Sequence, residues 1–345
     1  MKKTSSILLS GALAAALLLT GCRRGGSSSS SGSGSMSMGA GSTSGSSSAT
    51  QSDAWRTGLG VVTSASDEGR TGKIKTVAAA VLLDADGKIV QAVVDELEAT
   101  VSADGAGKVT MPDDYRTKRQ MGDDYPMAEA SSLKKGWAEQ ADAFGAYLKG
   151  MTAEQISRLE TDANGKPKDA DLLSGCTIAV ETYRDAVAKA CAQAQALGAA
   201  QGDTLHLGVE AANGSSSLTA TDDRDVNAQV DITVADLTAD SDGRVTSALC
   251  DAVEPALTVA ADGGVSAPNA VHTKREQGDD YGMRKASSLG KEWYEHSEGF
   301  CSYLKGKTAS QIRAIPDDGS NADLAALCTI SITDLQKAVL NALTA

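Results

Sequence analysis

Residues 117–150 read TKRQMGDDYPMAEASSLKKGWAEQADAFGAYLKG, and residues 273–306 read TKREQGDDYGMRKASSLGKEWYEHSEGFCSYLKG. Twenty of the 34 aligned positions are identical, at a constant offset of 156 residues and without a gap. Identity at this level between two segments of one chain indicates an internal duplication. The chain therefore contains one folding unit twice.

The duplication extends beyond this stretch. Upstream, residues 84–88 (DADGK) align with residues 240–244 (DSDGR) at the same offset. Towards the C-terminus the offset falls to 152, because the second copy is four residues shorter there. Each copy has about 145 residues, which is a normal size for a domain with its own core. We therefore predict two tandem domains, repeat 1 over residues 53–200 and repeat 2 over residues 201–345.

The segments before residues 117–150 predict antiparallel strands. Apolar residues 77–83 and 89–94 flank the tetrapeptide DADG, and an Asp-Gly pair between two apolar runs is typical of a β-hairpin turn. The second copy repeats this pattern over residues 230–249. A calcium loop also uses Asp-x-Asp-Gly, but Lys and Ile stand where the next oxygen ligands belong. The sequence therefore favours a hairpin in each repeat.

The segments that follow predict helices. Apolar residues recur at spacings of three or four over residues 133–148, and Ser131 is a favourable N-cap for such a helix. Capping boxes of the form T-x-x-Q predict a short helix next in each copy. The last helices are expected near residues 182–197 and 333–343. The predicted fold class is α+β, with two tandem copies of one domain, each an antiparallel sheet with packed helices.

The composition limits the possible functions. The net charge is −13 and no stripe of Lys or Arg is present, which argues against a nucleic-acid partner. The three His are not at ligand spacing from one another and there is no CxxC, so we predict no metal site. Five Cys follow residue 22, an odd number that does not suggest a disulfide framework. Most of them are expected to be buried as small apolar side chains.

The N-terminal segment has the features of an export signal followed by a tether. Two lysines precede an apolar run over residues 7–19, which is too short for a permanent transmembrane helix but suits a signal peptide. The run ends in Leu-Thr-Gly-Cys, which resembles a bacterial lipobox. We therefore predict a lipoprotein signal peptide over residues 1–21 and lipidation of Cys22, with a plain secretory signal as the alternative. The Ser/Gly-rich residues 22–52 predict a flexible tether, so we expect a lipid-anchored protein on the extracytoplasmic face of the cell membrane.

The beginning of the duplicated stretch follows neither a strand nor a helix period. TKR and GDDY-x-M recur unchanged in both copies, although irregular segments usually tolerate change. We therefore expect a loop whose side chains either bond it to its own domain or line a cleft. The residues expected nearest to a ligand are Lys118, Tyr125 and Met127, with Lys274, Tyr281 and Met283 in the second copy.

The motif with the clearest chemistry lies just before the last helix of repeat 1. Residues 171–177 read DLLSGCT. The pattern Asp-x-x-Ser-Gly-x-Thr resembles the flavinylation motif of the FMN-binding domains found in bacterial electron-transfer subunits and flavinylated lipoproteins. In that family a separate flavin transferase joins the threonine hydroxyl to the phosphate of FMN on exported protein. The resemblance is sharp over this motif and loose over the rest of each repeat.

By motif position, the resemblance implies that Thr177 is the attachment residue. The residues presented to the transferase would be Asp171, Ser174 and Gly175. The small Gly is expected to let the phosphate approach the backbone, and a nearby helix N-terminus to favour its charge. Cys176 stands where the family usually has Ala. The opposing interpretation is that Ser-Gly is only a turn.

Repeat 2 departs further from the motif. Its segment reads DLAALCT, which keeps the Asp and the Thr but loses Ser-Gly. Thr329 is the equivalent candidate for cofactor binding, but it is expected to remain unmodified.

These patterns together predict an exported, lipid-anchored flavoprotein with covalent FMN on repeat 1. It would act as an extracytoplasmic electron carrier, a function that these patterns favour over that of an enzyme with its own turnover. The implied partners are a flavin transferase, a redox donor and acceptor that the sequence does not name, and the membrane through the lipid. The alternative is a flavin-free surface lipoprotein whose twin domains bind a small ligand or a protein partner. The loss of Ser-Gly in repeat 2 favours this alternative, because a repeat can evidently persist without the intact motif.

Overall fold

The computed structural model describes residues 54–214 and 218–344. The predicted signal peptide, the lipidated Cys22 and the tether lie outside the described residues. Among the helices of the described part of the chain, none combines the length and the apolar character needed to cross a bilayer.

Repeat 1 forms a four-stranded antiparallel sheet followed by helices. In spatial order the strands are β1 (Arg56–Glu68), β2 (Thr71–Leu83), β3 (Ile89–Ala103) and β4 (Val109–Thr110). The helices are α1 (Lys118–Met121), α2 (Met127–Ala130), α3 (Trp137–Tyr147), α4 (Ala153–Ser157), α5 (Ala170–Leu173) and α6 (Glu181–Ala192). A single 3-10 turn, Gly122–Asp124, separates α1 from α2.

Repeat 2 has the same order of strands and helices, but two shorter strands take the place of its third strand. Its strands are β5 (Thr204–Asn213), β6 (Val226–Ala239), β7 (Val245–Val253), β8 (Ala256–Val259) and β9 (Val265–Ser266). Its helices are α7 (Lys274–Gln277), α8 (Trp293–Leu304), α9 (Ala309–Arg313), α10 (Ala322–Ala325) and α11 (Thr333–Thr344). One edge of β6 pairs with β5 and the other with both β7 and β8. Pro255 separates β7 from β8, because proline has no N–H for the ladder.

The two repeats belong to one compact unit with four layers, in the order helices, sheet, sheet, helices. Alternate side chains of β2 point to opposite faces of its sheet. Val77 and Val81 pack under the helices of repeat 1. Ala78 and Leu82 belong to a second core that also contains Ile232 of repeat 2. Each repeat therefore has a core under its own helices and shares another core with its partner repeat. The predicted α+β class with tandem copies is confirmed.

Close contacts hold the two sheets together. A Cβ added to Gly72 on β2 would lie 2.6 Å from Leu257 Cδ1 on β8, so the sheets approach closely at this glycine. The buried hydroxyls of Thr57 and Ser247 are 3.0 Å apart across the same interface.

The long helix of repeat 1 begins later than predicted. It starts at Trp137, and Ser131 does not cap it. Ser131 Oγ instead accepts a hydrogen bond from Leu133 N in a local turn at 3.1 Å. Lys134 has φ 55° and Gly290, its counterpart in repeat 2, has φ 64°. The chain therefore reverses through a left-handed residue before the helix begins, which apolar spacing does not reveal.

The segment predicted to be a loop contains a short capped helix. Thr117 caps α1 in a capping box, with its Oγ1 accepting from Gln120 N at 3.1 Å. Asp95 Oδ1 on β3 accepts from Arg119 N at 3.2 Å. Thr273 repeats the box in repeat 2. The prediction of an irregular loop was therefore wrong in part, because helices of four residues are too short for a period to show. Identical residues here bond the segment to its own sheet.

The remaining local predictions are confirmed with adjusted limits. Asp84 Oδ1 accepts from Lys88 N at 2.9 Å in the first hairpin turn, and Asp240 makes the same bond in the second. Both T-x-x-Q boxes begin helices, α4 and α9. The last helix of repeat 1 ends at Ala192, before the expected residue 197. The cysteines of the described residues are all buried. Apart from these predictions, the described residues contain no group of three or more His, Cys, Asp or Glu placed to hold a metal ion, and the absence of a metal site stays a prediction.

Candidate functional site

The DLLSGCT motif forms a turn between α5 and α6. Asp169 caps α5, because its Oδ1 accepts from the N–H groups of Asp171 and Leu172 at 2.9 and 3.0 Å. Ser174 Oγ donates to Asp171 O at 2.7 Å. Asp171 and Ser174 are exposed, whereas Cys176 is buried and anchors the turn. The polar residues of the motif therefore face solvent, where a second protein can reach them.

Two neighbours hold the side chain of Thr177, which is half-buried. Gln140 Oε1 on α3 accepts from both Thr177 N and Thr177 Oγ1, at 2.9 and 3.0 Å. Ser131 Oγ lies 3.4 Å from the same hydroxyl. Gln140 Nε2 donates to Lys135 O at 3.0 Å, which fixes the orientation of the amide. The position of the hydroxyl is therefore set by the protein itself.

Thr177 lines a pocket of about 440 Å³, which we call the Thr177 pocket. Its charged lining consists of three lysines and no carboxylate, namely Lys75, Lys118 and Lys166. Its larger apolar and aromatic lining residues are Met127, Trp137, Ile178 and Tyr183. The volume is within the range of small-molecule sites, roughly 300–1,000 Å³.

Two of the lining lysines belong to an ion cluster, which we call the Glu96 cluster and which consists of Lys75, Lys118 and the buried Glu96 behind them. Glu96 Oε1 lies 3.2 Å from Lys75 Nζ and 2.8 Å from Lys118 Nζ. The Tyr183 hydroxyl donates to Glu96 Oε2 and accepts from Trp137 Nε1, the latter at 3.2 Å. Burial alone would lower the pKa of Lys118, but the charge of Glu96 and the hydrogen bonds around it raise that pKa above its ordinary value. Lys118 therefore remains charged.

The structure brings three of the predicted residues of repeat 1 to one pocket. Thr177, Lys118 and Met127 all line it. Tyr125 lies behind the lining, with Lys118 Nζ 4.9 Å from its ring centroid in a cation–π contact. Asp171, Ser174 and Gly175 are outside the lining. The short helix α1 therefore both bonds this segment to its own domain, through Arg119 N, and lines a cleft, through Lys118.

Sequence reasoning missed five residues of the site. They are Lys75, Glu96, Gln140, Lys166 and Tyr183. A signal was present for Lys75, because it lies on the helix-facing side of β2, where the residues that follow on that side, Val77, Ala79, Val81 and Leu83, are apolar. A charge at such a position is rare unless it is paired or functional.

Gly175 has a packing role that the motif does not reveal. A Cβ added to Gly175 would lie 3.0 Å from the Cβ of Ala143 on α3. Repeat 2 has the pair reversed, with Leu327 at the position of Gly175 and Gly299 at the position of Ala143. A Cβ added to Gly299 would lie 2.3 Å from Leu327 O. The glycine of this helix–turn contact therefore lies in the turn in repeat 1 and on the helix in repeat 2. The expected role of Gly175 in admitting the phosphate stays a prediction.

A double-mutant cycle tests this packing role. We expect Gly175→Leu to lower the free energy of unfolding by about 1–3 kcal/mol through overpacking, and Ala143→Gly by about 1 kcal/mol through helix propensity. The double variant reproduces the pair in repeat 2, so its loss should be clearly smaller than the sum. Urea unfolding of the four proteins measures this coupling. Strict additivity would show that the two positions do not compensate each other.

The counterpart pocket in repeat 2, which we call the Lys274 pocket, has the opposite charge. Its volume is about 230 Å³, and its charged lining is one lysine and three carboxylates: Lys274, Asp231, Glu254 and Asp334. At the aligned positions, Asp231, Ala252 and Leu335 replace Lys75, Glu96 and Tyr183. The Glu96 cluster is therefore specific to repeat 1.

Thr329 occupies a different setting from Thr177. It is exposed and borders a separate cleft of about 400 Å³ beside α10, not the Lys274 pocket. His296 replaces Gln140, and its Nδ1 accepts from Thr329 N at 3.2 Å. Its Nε2 lies 2.8 Å from Ser287 Oγ. Burial, followed by the charge of Lys291, lowers the pKa of His296, which favours the neutral ring that this acceptor role requires. Repeat 2 therefore keeps the backbone support of the turn without the lysine-lined pocket.

Comparisons with known proteins give one short match. No family model matches the chain, and no solved structure matches it. A 41-residue segment is 44% identical to a chlorophenol reductase from Desulfitobacterium hafniense, and it covers 12% of this chain and 12% of that protein. A match of this length establishes neither a family nor an activity for the chain.

Proposed function

We propose that repeat 1 carries FMN joined through its phosphate to Thr177, and that the protein is an extracytoplasmic electron carrier anchored to the cell membrane by a lipid on Cys22. The observation that supports this most is the Thr177 hydroxyl at the wall of a pocket lined by three lysines. This positive lining stands out in a chain with a net charge of −13.

The residues of the Thr177 pocket suit FMN. A group esterified to Thr177 Oγ1 enters a space lined by lysines, which favour a phosphate or an anionic ring. Met127 and Ile178 supply apolar surface for a flat aromatic ring. When bound, FMN supplies the redox chemistry, and the protein supplies placement and electrostatics.

The residues around Thr177 also suit attachment by a separate enzyme. Esterification removes the Oγ1 proton, so the hydrogen bond from Oγ1 to Gln140 is lost. Gln140 keeps its bond from Thr177 N, and the turn therefore stays in place. The exposed Asp171 and Ser174 are available to a flavin transferase.

Intact-mass measurement of the exported full chain, co-expressed with a flavin transferase, tests the proposal. We expect the wild type to gain the mass of one FMN less the one water lost on forming the ester, and Thr177→Ala to gain nothing. Thr329→Ala is the matched control in repeat 2, and it should keep the flavin. Yellow absorbance should survive denaturation in the wild type and be absent from Thr177→Ala. An unmodified wild type, or flavin retained in Thr177→Ala, would remove the proposal.

The second candidate is a flavin-free surface lipoprotein whose twin domains bind a small ligand or a protein partner. The Lys274 pocket favours it, because repeat 2 keeps a pocket although it has lost Ser-Gly. A colourless protein from a host that contains a flavin transferase, with a melting temperature that depends on an added ligand, would decide for this candidate.

A further inference from the structure

The fold does not require the Glu96 cluster. Glu96 is 1% exposed, and taking charges out of water costs several kcal/mol per ion before pairing offsets it. Repeat 2 has the same fold with Asp231 and Ala252 at the positions of Lys75 and Glu96. Since one repeat is built without these ion pairs, packing alone does not explain them in the other.

The geometry of the cluster places the lysines at the pocket surface and Glu96 behind them. Lys118 Nζ also lies 3.0 Å from Oε1 of Glu98, whose side chain is 55% exposed and outside the pocket lining, and repeat 2 keeps this pair as Lys274 and Glu254. Lys75 and Lys118 line the Thr177 pocket, whereas Glu96 does not. The side chain of Lys118 is only 10% exposed, so water screens its charge weakly. The side chain of Lys75 is 38% exposed. A ligand in the pocket therefore meets the lysines first.

We propose that the Glu96 cluster sets the reduction potential of the flavin by favouring its anionic reduced form, an inference that rests on the proposed function. Two electrons and one proton convert the oxidised ring into a reduced ring with one negative charge, while the electron donor is oxidised by two electrons. The lysine charges stabilise this negative charge and raise the potential. Glu96 acts in the opposite direction, and charge near the ring is a recognised way for a protein to tune a flavin.

Two substitutions with opposite expected effects test the inference on the flavinylated full chain. Lys75→Met removes a positive charge while Lys118 stays paired with Glu96 at 2.8 Å. We expect it to lower the equilibrium constant for flavin reduction about tenfold, which is about 30 mV for a two-electron couple. Glu96→Gln keeps a hydrogen-bond acceptor for Tyr183, and it should raise the potential. Lys274→Met removes the one lysine that lines the pocket of repeat 2, and no shift is expected for this control.

Spectroelectrochemistry gives the potentials, and thermal melting of each variant verifies its fold. Opposite shifts for Lys75→Met and Glu96→Gln, with none for Lys274→Met, would support the inference. An unchanged potential in Lys75→Met would overturn it, and this holds even if Glu96→Gln does not fold. A wild type without flavin would instead overturn the proposed function, so the two failures are distinguishable.

Discussion

Repeat 1 produced alone, as residues 54–200, is expected not to fold to a stable monomer. The face of its sheet that turns away from its own helices is covered by repeat 2. Residues of this face that are at most 2% exposed include Ile74, Ala78, Leu82, Leu97 and Val101. Full burial of a single large aliphatic side chain contributes roughly 1.5–3 kcal/mol, and a whole domain is stable by only about 5–15 kcal/mol. Exposing this face therefore removes an amount comparable to the entire stability.

Size-exclusion chromatography, circular dichroism and urea unfolding of residues 54–200 and 54–344 measure this effect. The shorter chain should aggregate, self-associate or show no cooperative transition, whereas the longer chain should unfold cooperatively. Co-production with residues 201–344 is the control, and it should restore a soluble complex. A monomeric, cooperatively folding repeat 1 would show that the shared core is not needed.

Asp236→Ala is expected to raise the free energy of unfolding at pH 7 by about 1–3 kcal/mol, the cost of an unpaired buried polar group. Asp236 on β6 is fully buried, and neither of its carboxylate oxygens has a hydrogen-bond partner among the described residues. Its cross-strand neighbours are Leu207 and Leu249. Ala80 occupies the equivalent position in repeat 1, so alanine is compatible with the fold there.

The increase in the free energy of unfolding caused by Asp236→Ala should depend on pH. Burial raises the pKa of Asp236 well above its ordinary value. Above about pH 4, the unfolded chain releases this proton while the native protein retains it. The free energy of unfolding of the wild type therefore falls as pH rises towards the native pKa, and the substitution removes that fall. In urea titrations, the free energy of unfolding of Asp236→Ala should exceed that of the wild type by an amount that grows between pH 4 and pH 7.

Asp251→Ala is the matched control, because Asp251 is also buried but has partners. Its Oδ1 accepts from Ala252 N at 2.8 Å and from Arg275 N at 3.1 Å. Its replacement leaves these donors unpaired and should destabilise the protein by about 1–3 kcal/mol. Destabilisation by Asp236→Ala as well would show that the Asp236 carboxylate has a favourable role in the native protein.

The features predicted well from the sequence are those set by a few neighbouring residues. The Asp-Gly turns, the T-x-x-Q boxes and the last helices follow from local bonding, and the duplication shows that they occur twice. The start of α3 was missed because it depends on the left-handed backbone at Lys134. The shared core needs contacts between repeats, although residues 77–83 gave an indication. Along an antiparallel strand with one solvent-exposed face, apolar and polar residues usually alternate. Residues 77–83 are apolar throughout, which indicates that both faces of the strand are covered.

The candidate site shows where a search for identity between copies is insufficient. Lys118 and Met127 were found because both copies keep them, and Thr177 was found through its motif. Lys75 and Glu96 were missed because repeat 2 has Asp231 and Ala252 instead. Residues shared by the copies mainly report the fold. The residues that distinguish the two pockets are those at which the copies differ, and no local period marks them.

The reversed glycine pair limits how the two turns can be exchanged. Glycine at position 327 alone would place two glycines face to face, because Gly299 already lacks a side chain. Alanine at position 299 alone would drive its methyl group into the backbone of the turn, 2.3 Å from Leu327 O. The contact therefore tolerates a change from one arrangement to the other only when both positions change together.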